Sequence, residues 1–307
     1  GNVPAADVAA AREQLLSQVR ALSEWILWPP QDIEPTPSPA ASPEEDPRLA
    51  PIGRSLVDVS VDELADTVGA LADRARLRGI LCLEACIAGV RATLLTEGIR
   101  LTVDGTEPDL VADMLEIRAA TILRNRTIRG QMVIEGLLAI HSGDNPAIVA
   151  QKLTTYFVEE AAEIPALSRE LSTEDLAAVL QQTPMRAMTL AQLVDFFRDL
   201  AILARHRGLQ ALVALIDQVQ DDAVTAVGLA MIVQPDMRPQ QFMERVGQQL
   251  QDERVALHQR HCLVIKGMAG IQAGKKPDAL IAEARQWSQT QASTLPAVFR
   301  PQATASV

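Results

Sequence analysis

One block of sequence occurs twice in this chain, and that repetition constrains its fold more than any other feature. Residues 133–149 read VIEGLLAIHSGDNPAIV and residues 264–280 read VIKGMAGIQAGKKPDAL. In each, an apolar helical run stops at a glycine (Gly143, Gly274), two polar residues follow, and a proline (Pro146, Pro277) opens the next segment. Upstream, ARLRGILCLE (75–84) is echoed by ARHRGLQALV (204–213), and GIRLTVDG (98–105) by GLAMIVQP (228–235). Three blocks in the same order, at offsets drifting from 129 to 131, argue for a unit of about 130 residues present twice.

The local signals inside each unit are helical. Ala, Leu, Val and Ile dominate and aromatics make up only 3%, which favours helix over a sandwich or barrel. Ser60 and Glu63 have capping-box spacing, and a helix is expected from about 61 to 89, with a shorter piece to about 102. Asp104-Gly105 breaks that run. Thr106 is placed to cap, and Pro108 to start, a helix from about 107 to 142. Pro146 then opens a helix to about 163. The second unit predicts helices at about 173–182, 189–218, 221–233, 239–273 and 277–290. Only SLVDVSV (55–61) alternates like a strand, and it is short.

The expected architecture is all-α: two tandem helical modules of long antiparallel helices, at 56–165 and 166–292. An amphipathic helix at 1–28, with Leu15, Leu16, Val19, Leu22, Trp25, Ile26 and Trp28 on one side, precedes them. A proline-rich linker at 29–55, where missing amide donors bar helix and sheet, joins that helix to the first module. Residues 293–307 read as a flexible tail.

Charge and motif content narrow the function classes. A net charge of −11 argues against nucleic acid and against anionic lipid as partners. The three cysteines, Cys82, Cys86 and Cys262, read as reduced cytoplasmic thiols. No apolar run approaches the roughly 20 residues of a bilayer span, so no membrane span is expected in this chain. The first residue is Gly, which leaves an upstream anchor open. Cys82 and Cys86 (i, i+4) and His258, His261 and Cys262 (i, i+3, i+4) have metal-compatible spacing. Both sets sit on helices, however, and buried core thiols are the simpler reading. No phosphate loop, dinucleotide fingerprint, nucleophile elbow or HExxH motif is present. The expectation is therefore a protein without catalytic residues, metal or cofactor, with a zinc-dependent enzyme as the remote alternative.

The charged stretch Asp73, Arg74, Arg76, Arg78 and Glu84 is the candidate binding surface. On one continuous helix Arg76 and Glu84 fall about 80° apart. Arg205 and Arg207 are the second-copy counterparts, but Val213 stands where Glu84 would be. The competing reading is a solvated helix face.

These blocks resemble the cytoplasmic portion of MotA, the flagellar stator subunit of the MotA/TolQ/ExbB proton-channel family. ARLRGILCLE resembles its rotor-facing helix. GIRLTVDGTEPDLVADMLE resembles the segment before its third membrane helix, and VIEGLLAIHSGDNPAIVAQKL the segment after its fourth. The resemblance implies that Arg76 and Glu84 contact a rotor protein of the FliG type, with Arg74 and Arg78 supporting. Where the family inserts two spans, this chain has only IRAATILRNRTIRGQM, with Arg118, Arg124, Arg126 and Arg129 too polar for a membrane. The two arms are thus expected to be spliced into one helix of about 36 residues, a rod of roughly 54 Å. The implied function is a scaffold or adaptor without a channel. It would lie in the cytoplasm at the inner face of the membrane near the flagellar base, and bind a rotor protein, a stator or another motor component. The alternative is a structural protein that has lost the rotor contact and assembles with itself, as a homo-oligomer or as a pseudo-twofold pair within one chain.

Overall fold

The structure, a computed structural model, describes residues 46–156 and 171–292, and among these every regular element is helical. The expected helix before residue 28, the linker up to residue 45, the far end of the helix expected to reach 163, and the tail from 293 lie outside the described residues. Ten α-helices follow in order: α1 (Val61–Arg78), α2 (Glu84–Ile87), α3 (Thr93–Val103), α4 (Pro108–His141), α5 (Pro146–Thr154), α6 (Thr173–Gln182), α7 (Leu190–Arg207), α8 (Ala223–Ile232), α9 (Pro239–Gln272) and α10 (Pro277–Ala292).

The helix starts follow from side-chain capping. Ser60 and Glu63 form a reciprocal capping box on α1, and Thr189 and Gln192 form the equivalent box on α7. Pro108 and Pro239 occupy the first positions of α4 and α9, where a missing N–H costs nothing. Glu107, rather than the expected Thr106, is the N-cap of α4, and its side chain makes no capping bond. Gly143 (φ +77°) and Gly274 (φ +68°) end the long helices. The amides of Asp144 and Lys275 reach back to the carbonyls of Ala139 and Gly270, closing both C-termini in the same way.

Three segments differ from the sequence expectation. The helix expected over 61–89 stops at Arg78, because Gly79 adopts φ +85°. A 3-10 turn (Ile80–Leu83) and the four-residue α2 then fold back. The helix expected over 189–218 stops likewise at Arg207 before Gly208 (φ +80°), and Leu209–Val219 is 3-10. Continuous apolar spacing across both glycines concealed breaks that only a residue without Cβ makes cheap. Replacing Gly79 with Ala should cost about 1 kcal/mol or more in urea unfolding, whereas Gly247→Ala, inside α9 with open space for a Cβ, should stabilise by about 0.5–1 kcal/mol. Finally, Pro47–Gly53, counted with the linker from sequence, is a 3-10 helix that buries Pro51 and Ile52 against α1, and Leu56–Asp58 is another 3-10 turn, not a strand.

The long helices α4 and α9 are both 34 residues, rods of about 51 Å. A unit of about 100 residues has a radius of gyration of about 13 Å, so neither rod fits within one. The molecule solves this by sharing them. One core combines α1, α3 and the first part of α4 (Val111, Leu115, Ala119, Leu123) with the last part of α9 (Leu263, Val264, Met268, Ile271) and α10. The other combines α6, α7 and α8 and the first part of α9 (Phe242, Val246, Leu250) with the last part of α4 (Met132, Val133, Leu137, Ile140) and α5. Each rod therefore begins in one core and ends in the other, and neither half of the chain owns a complete core.

The exchanged contacts come in reciprocal pairs. A Cβ at Gly136 on α4 would stand 2.8 Å from the Phe197 ring on α7, and one at Gly267 on α9 would stand 2.6 Å from Val68 on α1. Gly98 on α3 meets Met268 of α9 in the same manner as Gly228 on α8 meets Leu137 of α4, each at 2.5 Å from the ideal Cβ position. Arg129 of α4 donates Nη1 to the Met188 carbonyl at 2.5 Å, and Arg260 of α9 donates Nε to the Val59 carbonyl at 2.5 Å. Where the rods pass, Arg126 bridges Asp222 (3.2 Å) and Glu253 (2.8 Å).

Candidate functional site

The turn after α1 gathers most of the residues singled out by sequence, but not on one helix face. Gly79 separates Arg74, Arg76 and Arg78 on α1 from Glu84 at the start of α2, so the 80° relation between Arg76 and Glu84 does not exist. The turn is fastened to the end of α1 through sulfur. Cys82 Sγ donates to the Arg74 carbonyl at 3.4 Å, and Arg74 Nη1 donates to Cys86 Sγ at 3.6 Å. Burial pushes the Cys82 thiol above its usual pKa, which keeps it in the neutral donor form. Arg74 is thus half-buried and engaged within the turn.

Arg76 is exposed, yet its Nη1 donates to the Gly274 carbonyl at 3.2 Å. It closes the C-terminus of α9, where a cation also meets the negative end of the helix dipole. Arg78 and Glu84 are exposed and make no ion pair among the described residues. Between them the turn presents two leucines to solvent, Leu77 at 84% exposure and Leu81 at 70%. From sequence the charges alone marked this stretch as a binding surface, and the two leucines gave no separate signal.

Arg205 and Arg207 lie at the matching place on the last turn of α7, both exposed. The Glu174 carboxylate at the start of α6 is held below the usual range chiefly by hydrogen bonds to its own backbone amide and to Ser172, with Arg207 adding an attraction. His206 and Gln210 occupy the positions of Leu77 and Leu81, so this second turn lacks the exposed apolar pair.

The metal-compatible cysteines and histidines are not brought together. Cys82 and Cys86 face α1, while Cys262 Sγ lies 3.7 Å from His258 Nε2 on α9. Among the described residues no group of three or more His, Cys, Asp or Glu is placed to hold a metal ion. Burial pushes the Cys262 thiol up to about 12, a value for a core thiol and not a nucleophile. Among the described residues no helix is long and apolar enough to cross a membrane. Compared with protein-family models, with curated proteins and with solved structures, the chain matches none.

Proposed function

We propose that this protein is a non-catalytic adaptor that docks a protein partner on the turn following α1. The observation that carries the proposal is the pair of solvent-facing leucines, Leu77 and Leu81, set beside the unpaired Arg78 and Glu84. Large aliphatic side chains on a short, fastened turn are costly in water, and an apolar centre with a charged rim is the anatomy of a protein interface. With the resemblance to the stator arms, the proposed partner is a FliG-like rotor protein, a stator or another motor component, met in the cytoplasm near the flagellar base. Arg74 and Arg76 shape the turn, Arg78 and Glu84 meet the partner, and Arg205 and Arg207 contribute charge without an apolar anchor.

The reciprocal contacts support reading the fold as two duplicated MotA-like units whose long helices have been exchanged, a pseudo-twofold pair within one chain. Self-assembly is the second reading, favoured by the exposed stripe Leu110, Met114 and Ile117 at i, i+4 and i+7 on α4. The test measures binding of purified rotor and stator cytoplasmic proteins. The adaptor reading expects micromolar binding that falls at least about tenfold for Leu81→Asp and for Glu84→Lys, with unchanged thermal melting. Binding that ignores both substitutions, or no binding together with a concentration-dependent oligomer in light scattering, would overturn it.

A further inference from the structure

Beside the crossing of the two rods lies a cavity of about 480 Å³. Four arginines reach its wall: Arg91 before α3, Arg126 and Arg129 from α4, and Arg186 before α7. In a chain of net charge −11, no carboxylate among the described residues lines it. The acids that neighbour these arginines are not among the lining residues: Asp222 and Glu253 hold Arg126, Asp58 pairs with Arg186 at 2.9 Å, and Asp221 accepts the Arg186 backbone amide. The cavity face is therefore left with donors and no acceptor of matching charge.

Three observations point to what these donors await. Arg129 is 8% exposed, and its guanidinium is fixed by two neutral backbone carbonyls, those of Met185 and Met188, with no carboxylate in ion-pair contact among the described residues. A buried guanidinium whose charge meets no carboxylate is expensive. The N-terminus of the 11-residue α3 also opens here, through Ala92, Thr93 and Leu94. Its N-cap Ala92 has no side chain to satisfy the first amides, unlike the capping boxes of α1 and α7. Free amides and the positive end of a helix dipole favour an anion. Thirdly, Arg91 presents a guanidinium at the rim with no side-chain partner among the described residues. The remainder of the wall is apolar, including Leu56, Ile122, Met188 and Leu257.

We propose that this cavity binds a small organic anion: an oxyanion headgroup, phosphate or carboxylate, carried on an apolar body. The headgroup sits against the amides of Thr93 and Leu94, beside the Arg91 fork and facing the charge of Arg129, and the apolar body lies along Leu56 and Ile122. Guanidinium forks match the planar edge of a carboxylate and two oxygens of a phosphate, which gives the site direction as well as charge. The volume falls in the range of small-molecule sites. Because the wall draws on both halves of the chain, occupancy also ties the two cores together. The site stands independently of the docking turn.

Calorimetric titration of the intact protein with phenyl phosphate and with benzoate tests this, with benzyl alcohol as the uncharged control. At least one anion should bind with a dissociation constant of about 1 mM or below, weakening with added salt, and benzyl alcohol should not bind. Arg91→Glu should weaken the anion at least about tenfold without altering the circular dichroism spectrum. If that variant fails to fold, Thr93→Trp, which blocks the cavity from its exposed rim, should abolish binding in a folded protein. Absence of binding for both anions, equal binding of benzyl alcohol, or anion binding unaffected by these variants would overturn the proposal.

Discussion

Lowering the pH from 7 to 4 should destabilise this protein by about 3 kcal/mol through one imidazole, and His261→Leu should abolish that component. His261 is 1% exposed in the middle of α9, and its Nδ1 has no hydrogen-bond partner among the described residues. Burial lowers its pKa to about 3, with the neighbouring His258 and Arg260 adding repulsion. In the unfolded chain a histidine takes up its proton near pH 6.5. Between pH 6.5 and about 3 the unfolded state therefore binds a proton that the folded state refuses, so stability falls as the pH drops through that window. The Glu63 carboxylate, held down to about 2 by Arg54 and Ser60, contributes its own acid loss, but only below about 4.5, and it does so in both proteins. Urea unfolding of wild type and His261→Leu across pH 7 to 4 separates the two. Parallel loss of stability in the two proteins would show that His261 is not the sensor.

Such a residue was visible in the sequence but its role was not. His258, His261 and Cys262 stood out for metal-compatible spacing, whereas the fold uses His261 as a neutral wall between a core and a cavity. The helix ends were far more legible. Capping boxes, Pro108 and Pro239, and the glycine-to-proline turns are local chemistry, readable within four or five residues. They placed both 34-residue rods almost to the residue. The breaks at Gly79 and Gly208 were missed because Ile80, Leu81 and Leu83 continue a helical apolar pattern. The signal that could have exposed them was a glycine at the same place in both halves. The partition of the cores was hidden for a different reason. Val68 touching Gly267, or Phe197 touching Gly136, is a long-range fact that no window of sequence contains. Arg126 and Arg129, weighed only as residues too polar for a membrane, turned out to be interior arginines of a shared crossing. The cavity draws on five separated stretches, so no motif could announce it.

Arg126→Leu should cost about 3–5 kcal/mol, the second large effect expected. Its guanidinium, 12% exposed, lies between Asp222 at 3% and Glu253 at 13%, and removing it strands two carboxylates where water scarcely reaches. Asp222 is occupied as well, since its side chain accepts the Thr225 amide as the N-cap of α8. The cost is one of uncompensated charge and not of lost attraction, and this yields a sharper test. A triple variant, Arg126→Leu with Asp222→Asn and Glu253→Gln, keeps the cap acceptor and removes every formal charge. It should recover most of the lost stability. Leucine is apt at this place because Leu257 holds the matching position on α9. A single-variant loss under about 1 kcal/mol, or a triple variant no better than the single, would refute the reading. The shape of the transition carries further information. Because each rod completes both cores, the weakened protein should still unfold in one cooperative step. Two separated transitions would mean that the halves fold alone, and that the exchange of α4 and α9 binds together units already stable without it.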